Sequence, residues 1–129
     1  MCGICGVYNF QGSGVPITEE KIHAMNETMV HRGPDDGGVY INPQKNTGLG
    51  HRRLSIIDLS SDGHMPMSNQ DGSIWISYNG EVYNYQKIKK ELLAKGYKFK
   101  SKTDTEVILY LYQEKGIDCL KDLEGMFAF

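Results

Sequence analysis

Cys2 can carry more chemistry than any other residue in the chain. Cysteine is small enough for the initiator methionine ahead of it to be removed, which would leave Cys2 with both a thiol and a free α-amine. An α-amino group has a pKa of ~7.7–8.0, so near neutrality part of the population is uncharged and can accept a proton. Nucleophile and general base then sit in one residue, and no histidine partner is needed. Cys2 and Cys5 also make a C-x-x-C spacing, which raises zinc and redox alternatives. Zinc would want a second ligand pair, and His23, His31, His51 and His64 are scattered without ligand spacing. A thioredoxin-type pair belongs where a strand meets a helix, not at the first residues of a chain. Cys5 and Cys119 read as packed core thiols.

The composition bounds the setting for this chemistry. At 129 residues the chain fits one domain with a real core, and 40% hydrophobic with 23% charged residues is ordinary for a globular protein. A net charge of -2 gives no electrostatic reason to expect nucleic acid or an anionic membrane as partner. No apolar run approaches the ~20 residues of a membrane-spanning helix. Met1-Cys2-Gly3 opens without a basic region or a long apolar stretch, so the expected compartment is the cytoplasm. An odd count of three cysteines, with no export signal, argues against a disulfide framework.

The elements that must position the site follow from periodicity and punctuation. Residues 4–10 read as a buried strand and Gln11–Gly14 as the turn after it. Thr18 is placed as an N-cap with Ile17 and Ile22 as a hydrophobic staple, and Ile22, Met25 and Met29 stripe the helix that follows. His31–Gly38 breaks that helix as an exposed loop. Strands are expected at 38–42 and 48–57, and residues 58–72 form a Ser/Asp/Gly/Pro-rich loop long enough to serve function. Residues 73–78 alternate as a strand that Asn79-Gly80 interrupts, a pair that by itself suits a type I′ hairpin turn. Ile88, Leu92 and Leu93 mark a helix stopped by Gly96, and Tyr97–Lys100 alternates again as a strand. Thr103-x-x-Glu106 forms a capping box opening a helix that Gly116 closes, and a helical turn at 117–123 leads to Met126–Phe129. Those last residues read as the start of a buried strand. The chain stops inside it, as a domain truncated at its C-terminus would.

Six motifs run in order: MCGICG at 1–6, HRGPDD at 31–36, GHRRLSIIDL at 50–59, YNGEVYNY at 78–85, TDTEVIL at 103–109 and EGMFAF at 124–129. Together they resemble the N-terminal glutaminase domain of class II glutamine amidotransferases, within the N-terminal-nucleophile hydrolase superfamily. The resemblance runs from the first residue to the last. Glucosamine-6-phosphate synthase has Trp-Ala-Thr-His where this chain has Leu54-Ser55-Ile56-Ile57, and His-Asn-Gly in place of Tyr78-Asn79-Gly80. The pattern here is similar to the asparagine synthetase branch, whose relatives include amidotransferases of surface-sugar and peptide biosynthesis and the β-lactam synthetases.

That resemblance implies a role for each matching residue. Cys2 matches the nucleophile that attacks the side-chain carboxamide of L-glutamine. Asn79 and Gly80 match the oxyanion hole, through a side-chain amide and a backbone N–H, as the close approach of glycine and the pairing of donors would suit. Arg53 matches the partner of the substrate α-carboxylate, a bidentate task for a guanidinium, and Arg52 beside it falls on the other face of the strand as an exposed residue. Asp104 matches the carboxylate that receives the α-ammonium, although a helix-start aspartate is also favoured by the macrodipole. Glu81 matches a further glutamine contact. The backbone of Arg53, Leu54, Ser55, Ile56 and Ile57 is expected along the same pocket, and residues 31–36, with Arg32 and Gly33, as the loop that closes over glutamine.

The implied fold is α+β, a four-layer αββα sandwich of two antiparallel sheets between helices. The implied reaction yields glutamate and ammonia through a thioester on Cys2, with no metal or cofactor. Ammonia would pass to an ATP-dependent synthetase domain that activates a carboxylate; ATP and Mg are expected there and not in residues 1–129, which carry no glycine-rich nucleotide loop. A truncated inactive or regulatory fragment, and an N-terminal-nucleophile hydrolase acting on another amide, remain as alternatives.

Overall fold

The computed structural model describes residues 2–10, 15–56 and 60–129. The expected turn at Gln11–Gly14 and the site residue Ile57 lie outside them. Strand β1 (Gly3–Tyr8), helix α1 (Glu19–Glu27), β2 (Asp36–Ile41) and β3 (Thr47–Arg53) form the first unit, an antiparallel sheet in the order β1-β3-β2. Two glycines let α1 lie close on β3. A Cβ on Gly48 would come within 2.8 Å of Ile17 and Ile22, and one on Gly50 within 2.5 Å of Asn26 and the Cys5 thiol. Ile17 and Ile22 are buried over that surface, as a staple requires.

A 3₁₀ turn at Ser61–Gly63 and the cis Met65-Pro66 bond carry the chain to the short pair β4 (Met67–Ser68) and β5 (Trp75–Ile76). Strand β6 (Asn79–Val82) then belongs to a different pair, with β7 (Gly125–Ala128). Between them run α2 (Tyr85–Ala94), α3 (Asp104–Lys115) and a 3₁₀ segment, Gly116–Asp122. Helix α2 ends in a Schellman arrangement: Gly96, at φ +95°, donates its N–H to Leu93, and Tyr97 donates to Leu92. Residues Asp104–Leu111 of α3 are all buried, because one side meets Tyr78, Val82 and Ile76 and the other meets Ile88 and Leu92 of α2. A helix enclosed on every side needs no amphipathic stripe. The architecture is mixed helix and antiparallel sheet, an α+β arrangement.

Several expected elements differ. The strand expected over 48–57 ends at Arg53, so Leu54, Ser55 and Ile56 are irregular backbone released from the ladder. Residues 97–100 form no strand: Tyr97 and Phe99 turn their rings onto Tyr110 instead of pairing their backbone. Asn79-Gly80 is not a hairpin turn; it opens β6, with Asn79 opposite Ala128. Half of the expected capping box forms, since Thr103 accepts from the Glu106 N–H at 3.4 Å. The Glu106 carboxylate reaches back past Thr103 to the N–H groups of Lys100 and Ser101. Strand β7 is present but not buried, with Met126 73% exposed.

Candidate active site

Sheet register brings the first functional residues together. Gly3 lies opposite Arg52 and Asp36 opposite Arg53, which sets Cys2 beside the Arg53–Leu54 end of β3. The Cys2 sulfur meets both polar groups of the Leu54 backbone. Leu54 N–H donates to it at 3.4 Å, and the thiol can donate to the Leu54 carbonyl at 3.7 Å. A thiol and a thiolate each find a partner there without rearrangement. The Cys2 carbonyl is held from the other side by Arg32 Nε, at 3.3 Å.

Around this sulfur opens a cavity of about 330 Å³ lined by Cys2, Arg53, Leu54, Ile56, Asn79, Gly80, Glu81 and Asp104, among others. It brings together eight residues that the sequence reading proposed. Ser55 does not line it: its N–H is taken by the Asp35 carboxylate at 2.8 Å, turning that residue toward the 31–36 loop. Ile56 stands exposed at the rim.

Alternation along β3 separates the two arginines. Arg53 is buried, donates from Nη1 to the Ser60 carbonyl at 2.8 Å, and lays its guanidinium against Gly63. Arg52 is not the exposed residue that was expected. Its Nε donates to the Gly33 carbonyl at 3.0 Å, its stem and guanidinium cover Gly37, and the guanidinium approaches Glu27. It ties the 31–36 loop to the sheet.

None of residues 31–36 lines the cavity. Gly33 is buried, and a Cβ there would collide with the backbone of Arg52 and Arg53. Asp36 is bonded at 2.7 Å to the half-exposed ring of His64. Burial acts to raise the Asp36 carboxyl, but the bond and charge of His64 and the Gly37 N–H leave it below its ordinary value. Through Arg32, Gly33, Asp35 and Asp36 the loop braces Cys2, Ser55 and the 60–64 turn.

Asp104, the first residue of α3, is buried, and its Oδ2 accepts from the Tyr78 hydroxyl at 2.6 Å and the Val82 N–H at 2.9 Å. Burial first, and then the bond to Asp104 and its charge, push the Tyr78 phenol well above its usual range. Tyr78 in turn accepts at its carbonyl from His51 Nε2, at 2.9 Å. His51 is fully buried, and burial pulls its pKa down to about 4. Burial likewise raises the Cys5 thiol, which faces Asn26. Among the described residues, no His, Cys, Asp and Glu side chains gather as a metal ion would require.

The sequence reading missed Gly63, Met65, Tyr78, Thr103, Thr105 and Met126 in the cavity wall. Three of these flank proposed residues directly, Tyr78 before Asn79 and the two threonines on either side of Asp104, so adjacency could have flagged them. Gly63 and Met65 fall in the long loop set aside as functional. Met126 arrives only through the pairing of β7 with β6 and leaves no local signal.

Chemically, the cavity wall combines residues bearing a thiol, a guanidinium, a carboxylate and an amide. Such a set suits a zwitterionic substrate carrying a cleavable carbonyl. Comparison with known proteins agrees. Residues 1–129 match the glutamine amidotransferase domain. The chain is 43% identical, over its full length and 27% of the relative, to a putative glutamine-hydrolysing asparagine synthetase of Methanocaldococcus jannaschii. It is 45% identical to asparagine synthetase 1 of Bacillus subtilis and 42% identical to asparagine synthetase B of Escherichia coli, again over its whole length. It spans 20% and 22% of those two proteins. Sequence, cavity and relatives point to one assignment: the chain belongs to the glutamine amidotransferase domain family.

Proposed function

We propose that this domain hydrolyses L-glutamine to glutamate and ammonia through a thioester on Cys2. One observation carries the reading: the Cys2 sulfur opens into a single cavity with Arg53, Asn79, Gly80 and Asp104 on its wall. Arg53 takes the substrate α-carboxylate and Asp104 its α-ammonium, so the side chain extends toward Cys2, with Glu81 as a further contact. With Met1 removed, the α-amine of Cys2 accepts the thiol proton and the thiolate attacks the carboxamide carbon. The Leu54 N–H receives the thiolate meanwhile. Negative charge gathers on the carboxamide oxygen, and the Asn79 side-chain amide and the Gly80 N–H donate to it. The α-ammonium returns its proton to the leaving nitrogen, and ammonia departs. Water then attacks the thioester and releases glutamate. These steps use residues of the chain and water, with neither metal nor cofactor assigned to them.

The β1-β3-β2 sheet with α1 on it, and the separate β6-β7 pair whose Val82 and Phe127 pack with Ile108 and Leu109 of α3, support a four-layer αββα sandwich as the architecture of the whole domain. The partner proposed for the ammonia is an ATP-dependent synthetase domain that activates a carboxylate acceptor, with the cytoplasm as the compartment. The names of the asparagine synthetases above, of which the chain spans 20–27%, support a synthetase partner.

The test is kinetic. Arg53→Ala and Asp104→Ala should each raise KM for glutamine, since their partners lie at the non-reacting end of the substrate, by the ~1.5–3 kcal/mol of one lost charged hydrogen bond. Either variant keeping the wild-type preference for glutamine over simple primary amides overturns that residue's assignment.

A further inference from the structure

Tyr78 occupies an unusual place in the chain. It lies between β5 and β6, which belong to different strand pairs, so neither ladder holds it. Side chains hold that stretch instead. Ser77 Oγ donates to the Gly50 carbonyl at 2.8 Å, and His51 Nε2 bonds the Tyr78 carbonyl at 2.9 Å. The second bond fixes the tautomer. A carbonyl only accepts, so Nε2 carries the hydrogen, and Nδ1 is left as a buried acceptor without a partner among the described residues.

The far end of Tyr78 is equally constrained. Its hydroxyl donates to Asp104 Oδ2 at 2.6 Å, and the residue is 2% exposed with its surface on the cavity wall. A line of contacts thus runs from His51 on β3, through the Tyr78 backbone that precedes Asn79 and the Tyr78 side chain, to the first residue of α3. One end touches the proposed receiver of the substrate ammonium, and the other abuts the proposed oxyanion donor.

We propose that Tyr78 is a positioning residue that fixes the spacing between the two ends of bound glutamine. Its hydroxyl orients the Asp104 carboxylate toward the α-ammonium, while His51, through the Tyr78 carbonyl, holds the backbone that aims Asn79. The inference rests on the roles proposed above for Asp104 and Asn79. It divides the two effects between two residues: the hydroxyl serves binding, and the imidazole serves turnover.

Steady-state glutaminase kinetics on Tyr78→Phe, His51→Leu, His51→Gln and Asp104→Ala test it, with a thermal melt of each protein. Tyr78→Phe keeps the ring and removes only the donor, so KM should rise about tenfold while kcat stays within a factor of about two. His51→Leu should lower kcat about tenfold or more with KM little changed. His51→Gln, which can still donate to the carbonyl, should recover much of that loss. A folded Tyr78→Phe protein with wild-type KM, where Asp104→Ala has lost affinity, overturns the proposal and leaves the Asp104 assignment standing. Wild-type KM in both variants overturns the two together. A lowered melting temperature in Tyr78→Phe without a change in KM marks a purely structural bond and also overturns it. Should His51→Leu not fold, the hydroxyl arm is decided by Tyr78→Phe and the imidazole arm by kcat of His51→Gln. A tenfold or deeper loss of kcat in that variant overturns the second arm, because the donor has been kept.

Discussion

The guanidinium of Arg53 fills the space that a Cβ on Gly63 would occupy. The glycine is not in a left-handed conformation, so alanine meets no backbone strain there and the nearest atoms to its methyl are those of the Arg53 guanidinium, not backbone. Gly63→Ala is therefore a way to move the guanidinium without deleting it. We expect a rise in KM for glutamine of roughly three- to tenfold, about 1 kcal/mol, with kcat and melting temperature close to wild type. An unchanged KM would mean that the placement of Arg53 is not set by this contact.

Gly33 gives the opposite outcome from the same substitution. Its Cβ would meet the carbonyl carbon and oxygen of Arg52 and the nitrogen of Arg53, which are backbone atoms held in β3. Gly33→Ala should cost about 1–3 kcal/mol of stability and separate the 31–36 loop from the sheet. Chemical denaturation of the two alanine variants side by side checks the contrast.

Asn79→Asp keeps the shape of the side chain and replaces its donor with a carboxylate that repels developing negative charge. Because Asn79 opens β6 opposite Ala128, and is no turn, the variant should fold. We expect kcat to fall ~10²–10³-fold with little change in KM. Near-normal turnover would remove Asn79 as an oxyanion donor.

A glutamine-analogue diazoketone should label Cys2 and spare the other two cysteines. Cys119 is buried and the Cys5 thiol lies against Asn26, and burial raises the pKa of both above the ordinary thiol value. Only Cys2 opens into the cavity. Peptide mapping reports the site, and a preparation retaining Met1 should remain unlabelled.

His51 ties stability to acidity. Burial lowers its pKa from 6.5 to about 4 in the folded state. Between those values the unfolded chain binds the proton more readily, so stability is complete above pH ~6.5 and falls as pH drops toward 4. The shift corresponds to about 3 kcal/mol lost by the lower limit. Urea midpoints measured from pH 7 to pH 4 should decline in the wild type and decline less in His51→Gln.

Much of the site was legible because its polar residues sit in short motifs with distinct chemistry. Cys2, Arg53, Asn79 and Asp104 were each named from sequence, and the structure gathers them in one cavity. What escaped depends on contacts between distant segments. Nothing local shows that β3 stops at Arg53, since Leu54-Ser55-Ile56 is as apolar as a strand and is drawn away by the Cys2 sulfur and the Asp35 carboxylate. Asn-Gly favours a hairpin by local propensity, and pairing with residues 125–128 overrides it. Arg52 looked like a surface residue because its partner, the Gly33 carbonyl, is a backbone atom without a sequence signature.

The pairing of β6 with β7 joins residues 79–82 to residues 125–128, whereas β1 is already paired once β3 has been made. A ribosome delivers the chain from its amino end at roughly 5–20 residues per second. Cys2 therefore emerges, and its methionine can be trimmed, several seconds before the strand bearing the proposed oxyanion donors has a neighbour. During that interval the newborn thiol has an amine beside it but no assembled pocket. Maturation of the proposed nucleophile and assembly of the cavity around it are thus separated in time by the length of the chain between them.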